Sequence, residues 1–176
     1  MPTITKAPAP PNALIQKYRS MPGAYTDCYL TELPKQVSFS DYVFAFYTTP
    51  LFKVERLILT LFVRKPSTDK DARELADGVR TQFAAWTVEA REENQILMCD
   101  FAGSTRSWFM TTPTENGTRL YFGSAVVPHR ISKKGKPSLG FFFTALLGFH
   151  KVYSVLLLHS AGAKLKHNRL MSTRKP

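Results

Sequence analysis

The chain has only two cysteines, Cys28 and Cys99, in 176 residues. That is too few for a disulfide scaffold, neither belongs to a CxxC pair, and a reducing cytoplasm is the expected setting. No HExxH or paired-cysteine spacing proposes a metal centre, and His129, His150, His159 and His167 show no zinc-like spacing. There is no Walker loop, no GxGxxG after a strand and no GxSxG elbow, so no cofactor is implied. The first eleven residues hold four prolines and no apolar run, which reads as a flexible lead-in over 1–20 rather than a signal peptide.

Carboxylates are missing from one part of the chain. Up to Val127, 14 Lys/Arg stand against 13 Asp/Glu, while Pro128 to Pro176 holds 10 Lys/Arg and no acid. The net charge of +11 therefore belongs almost wholly to the last quarter. A basic loop and a basic tail over 169–176 fit either a solubilising role or an anionic membrane surface. No feature points to a specific nucleic acid. The oligomeric state is not legible.

What is present is a core: 44% of residues are hydrophobic and 12% aromatic, enough for one domain over 21–168. Tyr25 to Leu33 reads as a strand closed by Pro34. Ser40 can cap a helix with Asp41 in its first turn, and Phe44, Tyr47, Leu51, Val54, Leu57 and Leu61 recur at helical spacing. Pro50 must split this stretch into two helices. Ser67 or Thr68 caps a short helix over Asp69 to Asp77, which Gly78 ends.

From Ala84 to Val127 the period becomes two, giving a four-stranded antiparallel meander. Two-residue turns at Glu92-Glu93, Gly103-Ser104 and Asn116-Gly117 set a register that places Val88 opposite Leu97, Cys99 opposite Trp108 and Trp108 opposite Ala125. That register collects Trp86, Val88, Leu97, Cys99, Phe101, Trp108, Met110, Tyr121, Ala125 and Val127 on one face, taken as the core. Met98, Phe109 and Phe122 fall on the other. Leu139 to Leu165 reads as one helix of about 40 Å. Its 20-residue apolar stretch could span a bilayer, but Lys151 near the midpoint costs about 3 kcal/mol. A core helix lying over the Trp86–Trp108–Tyr121 face is the expected arrangement.

Two residues stand out on these faces. Arg106 on the apolar face needs a carboxylate, carbonyls, a bound anion or an exit to water. His150, on a stripe with Phe143, Leu147, Ser154 and Leu158, is either a hydrogen-bonded core residue or an acid or base in a cavity.

The segments AYTDCYLTELP, WTVEAR, Arg106-Ser107-Trp108, GTRLYFGSAVV and LLGFHKVYSVLLL together resemble an uncharacterised bacterial family of the START-like superfamily. That superfamily includes polyketide cyclase, dehydrase and lipid-transfer proteins. The family's arginine-x-tryptophan step matches Arg106 and Trp108. Its proline-phenylalanine-histidine step matches Gly148, Phe149 and His150, with glycine replacing proline. The likeness covers roughly Tyr25 to Leu165, and the family's domain often follows an NAD(P)-binding, epimerase-like one. It implies an α+β helix-grip fold, in which a curved antiparallel sheet wraps the last helix around an apolar cavity. The expected occupant is a lipid-like or aromatic small molecule carrying one acidic or hydroxyl group. Trp86, Arg106, Trp108, Met110, Tyr121, Phe149, His150 and Tyr153 are the candidate ligand-binding residues. A cyclase or dehydratase using His150, or a basic peripheral membrane or interaction module, are the alternatives.

Overall fold

A computed structural model describes residues 3–58, 60–61, 64, 66–127 and 154–166. Among them seven strands form one open antiparallel sheet in the order β1-β2-β7-β6-β5-β4-β3. The strands are β1 (Thr5–Lys6), β2 (Tyr25–Leu33), β3 (Gln82–Phe83), β4 (Trp86–Glu92), β5 (Gln95–Asp100), β6 (Thr105–Thr114) and β7 (Gly117–Val126). Five are the expected ones, and β1 and β3 add short pieces at the two edges. The fold is α+β.

Helix limits follow local chemistry. α2 (Phe39–Tyr47) is capped by Ser38, not Ser40: the Ser38 hydroxyl accepts from the Asp41 amide at 3.0 Å. Pro50 opens α3 (Pro50–Ile58), where its missing N–H costs nothing. α4 (Asp69–Ala76) starts with a reciprocal capping box between Thr68 and Asp71 and stops before Gly78, whose φ is +80°. A short helix, α1 (Gln16–Arg19), lies in the amino-terminal segment, and residues 154–166 form α5. Residues 128–153 and 167–176, with the basic loop, the basic tail and most of the expected long helix, lie outside the described residues.

Both faces of the sheet are buried, and the helices chose the face expected to be outer. Met98, Phe109 and Phe122 pack with Tyr42 and Phe46 of α2, Leu75 of α4, and Leu157, Leu158, Ala161 and Leu165 of α5. The Phe46 ring stands 4.6 Å from Phe109 and 4.9 Å from Phe122, centroid to centroid. Such pairs add about 0.5–1.5 kcal/mol each beyond area burial. The opposite face, with Leu97, Trp108, Met110, Tyr121 and Ala125, is covered instead by Ala13, Ile15 and Tyr18. The expected placing of the last helix over Trp108 and Tyr121 is therefore corrected. So is the flexible lead-in: Thr5 and Lys6 pair with Leu30 and Tyr29, and Ala13, Ile15 and Tyr18 are buried.

Register explains the exchange. The Asn-Gly turn forms one residue early: Thr114 pairs with Gly117, and Glu115-Asn116 make the loop. Gly117 is required by closeness, since a Cβ there would stand 1.9 Å from the Leu33 carbonyl oxygen. Cys99 pairs with Arg106 rather than Trp108, and Trp108 with Gly123 rather than Ala125. These shifts of two residues preserve the faces. β4 does not. Val88 pairs with Met98 but Ala90 with Leu97, so Glu89 is an inserted bulge residue. One extra residue inverts parity, and Trp86 and Val88 join the helix-side cluster, opposite Trp108.

Candidate functional site

The bulge aims Glu89 toward the face beneath the amino-terminal segment, next to Arg106 on β6. Arg106 Nε donates to Glu89 Oε2 at 2.8 Å and to the Tyr18 hydroxyl at 2.9 Å, and Nη1 donates to the Gly103 carbonyl at 2.5 Å. Tyr18 in turn donates to Glu89 Oε1 at 2.5 Å, and Lys17 forms an ion pair with the same oxygen. The Arg106 guanidinium also lies over the Tyr18 ring, 5.0 Å from its centroid. Of the partners open to Arg106, an internal carboxylate and a carbonyl are the ones it has.

Every shift in this cluster reinforces an ordinary charge state. Burial opposes the charge on Glu89, but Lys17, Tyr18 and Arg106 outweigh it and hold the carboxyl below its usual value. Burial likewise opposes the cation on Arg106, and its bonds to Glu89 and Tyr18 prevail. Burial and the Glu89 carboxylate push the Tyr18 phenol upward. A proton-transfer site needs groups drawn toward neutrality. This one is a clamp. The cysteines behave similarly: burial takes the Cys28 thiol up to about 12, and Cys99 is also raised, chiefly by burial, so neither is poised as a thiolate.

A second clamp lies further along the segment. Gln95, fully buried, accepts at Oε1 from the Leu14 amide and from Trp108 Nε1, both at 2.9 Å. Its Nε2 donates to the Asn12 carbonyl at 3.0 Å and to Glu92 at 2.6 Å. All four bonding capacities of one amide are thus spent tying segment, tryptophan and strand together.

Between the amino-terminal segment and β2 lies a cleft of about 390 Å³, walled by Ala9, Ile15, Thr26 and Cys28 and edged by the exposed Lys6 and Arg19. Neither Lys6 nor Arg19 has a carboxylate within ion-pair distance among the described residues. Asp27 also reaches the cleft, but its carboxylate is occupied by the Ser124 amide, the Ser124 hydroxyl and the Tyr25 hydroxyl. Among the described residues no three His, Cys, Asp or Glu side chains gather to hold a metal.

Of the candidate residues, Trp108, Met110 and Tyr121 come together on this face, the Trp108 and Tyr121 rings 6.0 Å apart, with Arg106 one row away. Trp86 does not join them; it is half-buried on the helix side, with no hydrogen-bond partner for Nε1 among the described residues. Phe149, His150 and Tyr153 lie outside the described residues. Lys17, Tyr18, Glu89 and Gln95 were not foreseen. The spacing of Ala13, Ile15 and Tyr18 was the available signal for the segment; nothing in the sequence marks Glu89 as a bulge. No described helix is long and apolar enough to cross a membrane. Comparison with protein-family models, curated proteins and solved structures finds no match.

Proposed function

We propose that this protein binds a small, mostly apolar molecule bearing one acidic group, as a carrier or sensor rather than a catalyst. The single observation that supports it most is the cleft under the amino-terminal segment. Its volume of about 390 Å³ falls within the range of small-molecule sites, and its wall mixes apolar Ala7, Pro8, Ala9 and Ile15 with polar groups. Lys6 and Arg19 at its edge suit a carboxylate or similar anion. The chemistry nearby favours binding, since the ionisable cluster stabilises fixed charges rather than exchanging protons.

The helix-grip architecture is part of the same proposal. An antiparallel sheet with α5 across one face is consistent with it, and so is the order of strand, helix pair, meander and last helix. In that fold the ligand would lie on the α5 side, with Phe149, His150 and Tyr153 among its walls. The cleft described here is on the other face, where the amino-terminal segment, not a helix, supplies the cover.

Native mass spectrometry of freshly purified protein should reveal a co-purifying small molecule. Thermal-shift titration should show stabilisation by medium-chain fatty acids and less by the matched alcohols. Ala9→Phe, which fills the cleft, should remove the shift, and Lys6→Met with Arg19→Met should remove the preference for acids. No co-purified molecule together with no shift from acid or alcohol would refute the reading. An unchanged shift in Ala9→Phe would place the binding elsewhere.

A further inference from the structure

Helix α3 buries a cation and exposes two of its aliphatic residues. Its Arg56 points inward, 8% exposed, donating to Asp69 at 2.6 Å, to the Ser67 hydroxyl at 3.1 Å and to the Ser67 carbonyl. Its guanidinium also lies 5.6 Å from the centre of the Phe83 ring. Val54 and Leu57 of the same helix, and Leu61 just past its end, go the other way, 56%, 58% and 66% exposed, while Leu51 and Phe52 pack on the core. A surface helix ordinarily turns its apolar stripe to the core and its charges to water.

The exposed residues are not scattered. At about 100° per residue, Pro50, Val54 and Leu57 fall along one outward line of α3 about 11 Å long with no charged side chain between them, and Leu61, one turn further on, is exposed as well. Phe52, on the opposite side of the helix, is buried in the helix-side core, so α3 is anchored with this stripe facing out. Thr60, beside the stripe, turns its hydroxyl back to the Arg56 carbonyl at 2.8 Å. A continuous exposed apolar stripe of this kind marks an interaction surface.

We propose that α3 and the turn after it dock the protein on an anionic lipid bilayer, with Val54, Leu57 and Leu61 entering the boundary between headgroups and acyl chains. The charge around the stripe selects this occupant. Residues 50–69 carry Lys53, Arg56, Arg64 and Lys65 against Glu55 and Asp69, a balance of +2 on a chain of net charge +11, and Asp69 is already paired with Lys53 and Arg56. Arg64 is exposed and has no carboxylate within ion-pair distance among the described residues, so it is available to lipid phosphate and carboxylate. The shape agrees: the stripe is a convex ridge, which a fluid bilayer accommodates and a rigid partner must match with a groove. Three aliphatic side chains over two turns also fall well short of the roughly 800 Å² per partner that a stable protein interface buries.

The proposal goes beyond the ligand reading and stands or falls separately, because Ala9 and Arg19 are not part of α3. The test is co-sedimentation of the full chain with vesicles of phosphatidylcholine alone and of phosphatidylcholine with phosphatidylserine. Wild type should bind the anionic vesicles and, at low salt, bind neutral ones at least about tenfold more weakly. Leu57→Ser with Leu61→Ser should weaken anionic-vesicle binding by about tenfold or more while leaving Tm within about 2 °C of wild type. Arg64→Gln should weaken it a few-fold at low salt and make little difference at high salt. Three results would overturn the proposal. One is unaltered vesicle binding by the double variant, which would assign binding to the basic last quarter. Another is a Tm drop above about 5 °C in that variant, which would show that the stripe is covered within this chain. The third is a wild-type dimer that the variant dissociates, which would make the cover a second copy.

Discussion

Arg106 of β6 and Glu89 of β4 form an ion pair, with Nε and Oε2 2.8 Å apart, although β5 runs between their strands. Cys99 of β5 is paired directly with Arg106, so the bond passes over it. The β4 bulge turns Glu89 onto the face of Arg106, and the two long side chains span the intervening strand. Lys17 and Tyr18 then meet the same carboxylate from above, which fixes the amino-terminal segment to the sheet.

Arg106→Met should therefore act on stability before it acts on any ligand. Removing one partner of a fully buried pair costs about 3–5 kcal/mol. Here the two side chains are 13% and 21% exposed and Lys17 remains on Glu89, so about 2 kcal/mol is expected. Urea denaturation of wild type, Arg106→Met, Glu89→Gln and the double variant should give a coupling energy of at least about 1 kcal/mol. Additive effects would show that the pair contributes nothing beyond its separate residues.

Acid should loosen the same clamp. The folded-state pKa of Glu89 lies below its ordinary value, so the unfolded chain takes up the proton first as pH falls. Its stabilising contribution is complete above the unfolded value and is lost as pH drops through the folded one. Glu89→Gln should thus be less stable than wild type at pH 7, and the gap should narrow below about pH 4.5. Urea midpoints at the two pH values check this; a gap that widens in acid would contradict the sign.

Gln95→Leu should release the other clamp. It strands the Trp108 Nε1, the Leu14 amide and the Asn12 carbonyl, whose desolvation costs about 1–3 kcal/mol for each group that water cannot reach. A loss of about 3 kcal/mol is expected, with faster hydrogen exchange across residues 10–19 and a red-shifted Trp108 emission. Protection unchanged over that segment would mean that apolar contacts alone hold it.

Gly117→Ala should be among the most damaging single-methyl additions in the chain. The new Cβ would meet the Leu33 carbonyl oxygen at 1.9 Å and the Lys35 amide nitrogen at 2.6 Å, both backbone atoms that cannot turn aside. A loss of about 3 kcal/mol or more is expected from thermal unfolding. A variant as stable as wild type would show that β2 and β7 can separate there without cost.

The sequence by itself determined what depends on near neighbours. Tyr25–Leu33 is a strand with the expected limits, the helix pair parts at Pro50, and Thr68 caps α4. Proline sterics, hydroxyl caps and β-branched runs act within a few residues and leave their mark in the chain. Alternation also separated the two faces of β5, β6 and β7 correctly, since shifts of two residues do not alter parity. Which face the helices would cover was a tertiary decision. Met98, Phe109 and Phe122 are as apolar as Leu97, Trp108 and Met110, so composition could not rank them, and both faces became core. The insertion at Glu89 sent Trp86 away from Trp108 and gave Arg106 its partner, and a single extra residue leaves no trace in a period-two pattern. The inward turn of Arg56 likewise needed Asp69 and Ser67 to be brought beside it. Local propensity is settled within a turn or two of chain, whereas pairing, burial and charge compensation depend on residues that meet only when the sheet closes.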